Sequence, residues 1–178
     1  VRKPRVAVLP TGTELVPVGT SVKRGDIIEY NSLVLAAQVN SWGGQAERYP
    51  ITPDKFELIC QKVQEAAAHS DLVLLNAGSS AGAEDFSARV VETLGRLFVH
   101  GVAVRPGHPV ILGLLRRTDG HKIPVIGVPG YPVSAALTGE LFVEPLVNRW
   151  LGITKSDPVE IDAALTRSGH HPGVGFRR

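Results

Sequence analysis

Methionine is absent from this chain and cysteine occurs once, at Cys60. A lone cysteine closes no internal disulfide, so a reducing, cytoplasmic setting is expected. Cys60 falls on the apolar stripe of a predicted helix, where a thiol behaves as a small buried hydrophobe and not as a nucleophile. Aromatic residues make up only 6%, and no stretch approaches the roughly 18 apolar residues of a membrane-spanning helix, so no membrane partner is expected. An excess of one charge is also missing: 19 Lys and Arg stand against 17 Asp and Glu. No basic run is interleaved with aromatics, which argues against nucleic acid as a partner. His121, His170 and His171 lie in polar segments without metal-ligand spacing, so no structural zinc is expected. No leader pattern is visible, and the start at Val1 with no methionine suggests a piece of a longer protein.

Glycine and proline are abundant, at 19 and 13 residues, and they are concentrated at informative places. Two small-residue turns stand out: Gly78-Ser79-Ser80-Ala81-Gly82, and Pro129-Gly130-Tyr131-Pro132-Val133-Ser134. Each follows a short apolar run and precedes a helical pattern. Such a turn lets backbone amides approach an anion closely, and the helix behind it adds unpaired N–H groups. A plain strand-to-helix connection needs the same small residues, so either turn alone leaves both readings open. The pairing of two turns favours binding of a ligand with more than one anionic group, with Ser79, Ser80 and Ser134 as hydroxyl donors.

Apolar runs at residues 5–9, 72–75 and 124–128 read as buried strands, with further strands near 46–49, 98–104 and 110–115. Residues 15–30 read mostly as loop. Asn31 is placed as the N-cap of a helix over 32–42, and Thr52-Pro53-Asp54 as a helix start. Helices are also expected over 85–94 and 133–149, the second closed by Gly152. His100 falls inside a predicted strand and is read as packing. Alternating strands and helices predict an α/β fold, a three-layer α/β/α arrangement with a mostly parallel central sheet. The domain is expected to span 1–152, and 153–178 to be a linker entering a truncated β domain. In such sheets ligands sit beyond the carboxyl ends of the strands, where both glycine turns fall.

Glu84 and Asp85 suit a helix start, and with Asp54 they are candidates to hold Mg²⁺ against phosphates. Arg105 and His108 flank Pro106-Gly107, a rigid placement of basic groups that suits oxyanion recognition. A rival pattern overlaps the first turn. Gly78 to Gly82 fits the G-x-S-x-G nucleophile elbow with Ser80 as nucleophile, but Asp119 and His121 lie in one turn, too close in sequence for the usual separate loops, and His170 and His171 lie in the irregular tail.

With these residues in view, the chain resembles the molybdopterin-binding domain of the MoeA, gephyrin and MogA superfamily over roughly residues 5–152. Thr11-Gly12-Thr13-Glu14-Leu15 resembles T-G-D-E-L, and residues 25–31 resemble G-x-I-x-D-x-N. Residues 76–86 resemble S-G-G-x-S-x-G-x-x-D-Y, residues 105–109 resemble K-P-G-K-P, and residues 128–134 resemble L-P-G-N-P-V-S. The resemblance implies that Thr11, Gly12, Asn31, Gly78, Ser79, Ser80, Gly82, Glu84, Gly107, Pro129, Gly130, Pro132 and Ser134 bind molybdopterin, free or adenylylated. It implies that Asp54 and Asp85 hold Mg²⁺ and that Arg105 and His108 stabilise charge as a phosphoanhydride breaks. Molybdate is then a substrate, AMP a product, and self-association into a homo-oligomer is expected. MoeA-type domains insert molybdate and MogA-type domains adenylylate the pterin. Val159-Glu160-Ile161-Asp162-Ala163 resembles the passage into the MoeA C-terminal domain and favours the MoeA side. Thr13 and Glu29 replace family Asp residues, Arg105 and His108 replace lysines, and Tyr131 replaces Asn. These departures keep open a non-catalytic binding module.

Overall fold

The computed structural model describes residues 2–77 and 83–154, with side chains of the second span from Phe86 onward. Expectations on Gly78, Ser79, Ser80, Gly82, the side chains of Glu84 and Asp85, and the segment from Lys155 lie outside the described residues.

The longest apolar runs form the middle of a six-stranded sheet. These are β1 (Arg5–Pro10), β5 (Leu72–Asn76) and β8 (Lys122–Val128), with β2 (Leu15–Pro17), β3 (Ile27–Glu29), β4 (Gln45–Arg48), β6 (Gly95–His100) and β7 (Ile111–Arg116) completing the set. The order across the sheet is β4-β1-β5-β8-β7-β6, while β2 and β3 pair separately. β1 runs parallel to β4 and β5, and β5 parallel to β8, whereas β7 is antiparallel to both β8 and β6. The antiparallel insertion has a simple cause. No helix separates β6, β7 and β8, and the short turn between β7 and β8 is too brief for the crossover that parallel neighbours need.

Helices cover both faces of the sheet. In β1 and β5, Ala7, Leu9, Val73 and Leu75 pack with α2 (Phe56–His69) and α3 (Ala83–Leu94). Val6, Val8, Leu72 and Leu74 point the other way, toward α1 (Asn31–Ser41), α4 (Pro132–Thr138) and α5 (Glu144–Leu151). The period-two alternation of a strand divides one apolar run between two cores. Cys60 is half-buried against the first core, and burial pushes its thiol pKa up.

Several boundaries differ from expectation, and each difference has a tertiary cause. Residues 15–30 contain the β2–β3 pair, parallel through Leu15↔Ile27 and Val16↔Ile28; three-residue strands are too short to show periodicity. Asn31 is the first helical residue and not the cap. The buried carboxylate of Glu29 takes that role, accepting the Ser32 N–H at 2.8 Å and the Ser32 hydroxyl at 2.6 Å. α2 starts at Phe56, not at the Thr-Pro-Asp sequence, because Thr52 pairs with Thr11 as a one-residue extension of the sheet. The strand expected near 98–104 starts at Gly95, directly behind α3, and leaves His100 exposed at its end instead of packed. The helix expected over 133–149 is α4, a π-helical turn over Gly139–Val143, and α5. At that turn a Cβ on Gly139 would lie 2.6 Å from Gln38 Oε1, so glycine permits the close approach of α1. Gly152, at φ 69°, closes α5 as expected.

Candidate functional site

The strand registers decide which loops meet. β4, β1, β5 and β8 point the same way, so the segments leaving them share one rim. Because β7 runs the opposite way, its first residue, Ile111, pairs with Gly127 and brings the 101–110 loop to that rim as well. Hydrogen bonds stitch the exits together. Thr11 N–H donates to the Asn76 carbonyl at 2.8 Å, Gly12 N–H to that of Thr52 at 3.0 Å, and Ala77 N–H to that of Val128 at 3.1 Å. The strands that lead into the two glycine turns therefore end side by side.

In the second turn, Pro129 is buried and the Gly130 carbonyl accepts the Asn31 side-chain amide at 2.8 Å. The Tyr131 carbonyl accepts Ala135 N–H at 2.8 Å, Pro132 opens α4, and Ser134 is buried in its first turn. Asn31 thus braces the turn that sequence reasoning had it share with a ligand.

Asp54 is half-buried at the exit beyond β4. Its Oδ2 accepts Thr13 N–H at 3.2 Å, and its own N–H donates to Thr13 Oγ1 at 3.1 Å, a reciprocal clasp. Thr13, the departure from the family acid, is used here as a loop brace. Among the described residues no group of three or more His, Cys, Asp or Glu could hold a metal ion. Mg²⁺ takes few carboxylates and keeps several waters, and of the two expected acids Asp54 is the one whose side chain is described.

The basic loop is built around Gly107, buried at φ +115°, a conformation that requires glycine. Val102 N–H donates to the His108 carbonyl at 2.8 Å, and His108 Nδ1 lies 2.6 Å from the Val102 carbonyl. A carbonyl only accepts, so Nδ1 carries the proton and Nε2 faces away with its lone pair when the ring is neutral. Arg105 is exposed. The ends of β4 and β7 are four strand spacings apart, roughly 19 Å at about 4.8 Å each, but Asp54 clasps Thr13 beyond β1, and a Cβ on Gly107 would lie 4.0 Å from Thr138 Oγ1 of α4.

A cavity of about 210 Å³ opens beside the second turn. Leu15, Ile27, Ile28 and Tyr131 form apolar wall, and Glu29, Asn31 and Asn76 contribute polar groups. Sequence reasoning missed Glu29, Asn76 and Tyr131 as site residues. Glu29 and Asn76 both fall inside motifs of the resemblance, residues 25–31 and 76–86, but sequence reasoning weighed neither there as a binding group.

At the opposite end of the sheet, Asp119 and His121 sit 3.2 Å apart in the turn between β7 and β8. The Arg117 guanidinium holds the Asp119 carboxyl well below the usual carboxylate range. Seven residues of β8 separate this turn from the rim, roughly 20 Å at about 3.3 Å per residue. Neither residue can assist a serine beyond β5, so the nucleophile-elbow reading loses both partners.

The exits of β1, β5 and β8 adjoin one another at one rim of an α/β sheet. Residues 7–149 match the family described as "Probable molybdopterin binding domain", and the chain belongs to that family. A molybdopterin molybdenumtransferase from Nostoc sp. is 30% identical over 175 residues, covering 97% of this chain and 39% of that protein. One from Staphylococcus epidermidis is 32% identical over 166 residues, covering 92% and 38%. Two molybdopterin biosynthesis MoeA structures from Pyrococcus horikoshii match with TM-scores of 0.74 and 0.67 at 38% and 27% identity. Each covers 85% of this chain, which corresponds to 36% and 35% of theirs. The tungsten cofactor synthesizing protein MoaB from Pyrococcus furiosus, at 16% identity and a TM-score of 0.64, shares the fold. The chain spans 39% and 38% of the length of the two curated relatives it matches here.

Proposed function

We propose that this domain acts in molybdenum cofactor biosynthesis, binding adenylylated molybdopterin and promoting molybdate insertion with release of AMP. One observation carries the reading. The exits of β1, β5 and β8 adjoin one another at one rim, and each opens into a motif that suits a phosphorylated ligand. The turns at Gly78 to Gly82 and at Gly130 contact the two phosphates through backbone amides. Arg105 stabilises negative charge as an oxygen of molybdate or water bonds to phosphorus, the anhydride P–O bond breaks and AMP departs. His108 adds to that charge stabilisation in its protonated form. Asp54 and Asp85 hold Mg²⁺, which screens the phosphates. No protein nucleophile is needed, because the work is positioning and electrostatics.

A second reading, a module that binds the pterin without turnover, draws on a different observation. Asp54, His108 and Asn31 each have an atom engaged in holding a loop, at Thr13, Val102 and Gly130 respectively. A MogA-like adenylyltransferase is a third outcome. Incubation with adenylylated molybdopterin, molybdate and Mg²⁺ separates them. AMP release that Asp85→Ala abolishes supports the first, and release unaffected by Asp85→Ala removes the metal role. Tight binding with no AMP release, even in a chain of the relatives' full length, selects the module. Pyrophosphate release from ATP selects the adenylyltransferase. The proposed homo-oligomer is checked by sedimentation equilibrium, and the proposed cytoplasmic location by fractionation.

A further inference from the structure

The two faces of the sheet are not equally covered at the β6 edge. On one face α3 lies across β6, β7 and β8, and Leu97 and Leu115 pack into the first core. On the other, the core beneath α1, α4 and α5 takes in Ile126 fully and Leu112 in part, and it reaches neither Leu114 nor any residue of β6. Strand register shows what is left open there. Arg96, Leu114 and Pro124 are direct partners across β6, β7 and β8, so they share this face. The register slips between Leu97 and Val99, which puts Phe98 in a bulge. Its ring is 52% exposed and lies 5.2 Å from the Arg96 guanidinium, on the same side of the strand. Trp150 of α5 continues the strip beyond Pro124, where the two border a cavity of about 570 Å³.

The charge around this apolar strip states the chemistry of its partner. Arg96, Arg116 and Lys122 are exposed, and among the described residues none has an ion-pair partner. Arg116 and Lys122 stand directly opposite each other, a like-charge pair that opposes strand pairing until an anion arrives. The acid in the adjoining turn, Asp119, is already engaged with Arg117 and His121. Shape narrows the choice further. The bulge in β6 discourages addition of another strand, so the partner lies over the face and not along the edge. From β6 to β8 is two strand spacings, roughly 10 Å at about 4.8 Å each, the width of one helix. Single-stranded nucleic acid stacks successive bases on several aromatics, whereas Phe98 is the one aromatic residue of these three strands.

We propose that this face docks an amphipathic helix of a partner protein. Its apolar side chains rest on Phe98, Leu114 and Pro124, and its flanking carboxylates meet Arg96, Arg116 and Lys122. The surface is separate from the glycine turns, and the inference does not depend on the pterin chemistry.

The test titrates the ¹⁵N-labelled 178-residue chain with a helical peptide of about 20 residues, leucines along one stripe and glutamates beside it. Amide resonances of 96–99, 112–116 and 122–124 shift saturably, and the same peptide with lysine for glutamate binds at least about tenfold more weakly. The double variant Arg96→Glu, Lys122→Glu reverses that preference, and Phe98→Ser weakens both peptides. Reversal of preference is a readout that a folding defect does not produce. The proposal is overturned by shifts that map elsewhere, by equal affinity for the two peptides, or by no binding. Sedimentation equilibrium showing a wild-type dimer that Phe98→Ser dissociates gives the face to a second copy and also overturns it. Oligouridylate moving these amides where the acidic peptide does not assigns nucleic acid instead. A chain of the relatives' full length that no longer binds the acidic peptide gives the face to the parent chain and rejects a separate partner.

Discussion

Asn31 and Glu29 show how two neighbouring polar residues hold one corner of the site. The Glu29 carboxylate caps α1 through Ser32, whose hydroxyl also accepts the Arg48 Nε–H at 2.9 Å. With the helix start fixed, the Asn31 amide reaches across to Gly130 and holds the second turn. Asn31→Ala removes the donor and leaves that carbonyl without it, so stability falls by about 1–3 kcal/mol in urea unfolding. Ligand affinity falls with it because the turn is no longer held in place. Cys60 supplies a different test. Burial first, and then the nearby Glu57 charge, raise its thiol above the ordinary value of 9.0. A raised folded value means that the folded state keeps its proton longer than the unfolded chain. The contribution to stability is thus complete below about pH 9 and is lost as pH rises through the folded value. Urea unfolding at a series of alkaline pH values should show a decline in wild type that is smaller in Cys60→Ala.

Glycines at the joints between elements set how closely those elements meet. A Cβ on Gly95, where α3 passes directly into β6, would lie 1.9 Å from the Leu114 carbonyl oxygen on the neighbouring strand. Backbone cannot yield as a side-chain tip does. Gly95→Ala is therefore expected to cost at least the about 1–3 kcal/mol of an overpacked core, with β6 and β7 forced apart. Gly120, in the turn between β7 and β8, is the control: a Cβ there meets nothing within 4 Å, although its φ is +85°. Gly120→Ala carries only the left-handed strain, about 1–2 kcal/mol. Thermal unfolding of the two variants side by side gives the ordering.

Across the whole molecule, the strand order spreads the candidate groups along one rim instead of gathering them at a point. Asp54 lies beyond β4 at one edge, and Arg105 lies in the loop that joins β6 to β7 near the other. Asp54 holds Thr13, and among the described residues no hydrogen bond or ion pair joins it to Arg105. In a double-mutant cycle of Asp54→Ala and Arg105→Ala, read as affinity for adenylylated molybdopterin, the effects should add within about 0.5 kcal/mol. A larger coupling would place both groups on the same ligand atom and contradict the separation.

Much of this arrangement is local and was readable from residue order. The buried runs of β1, β5 and β8, the closing role of Gly152, the small-residue turns and their place after strand ends all follow from short-range rules. Apolar runs bury, proline and glycine punctuate, and a stiff backbone leaves few alternatives. What depended on contacts distant in sequence was not readable. The pairing of Thr52 with Thr11 and the bond from Asn31 to Gly130 link residues 41 and 99 positions apart. Periodicity reports which face of an element is apolar, but a hydrogen bond between two loops depends on where packing brings their backbones. The chain thus carries its turn and strand motifs in local chemistry, while sheet register decides which strand ends share the rim.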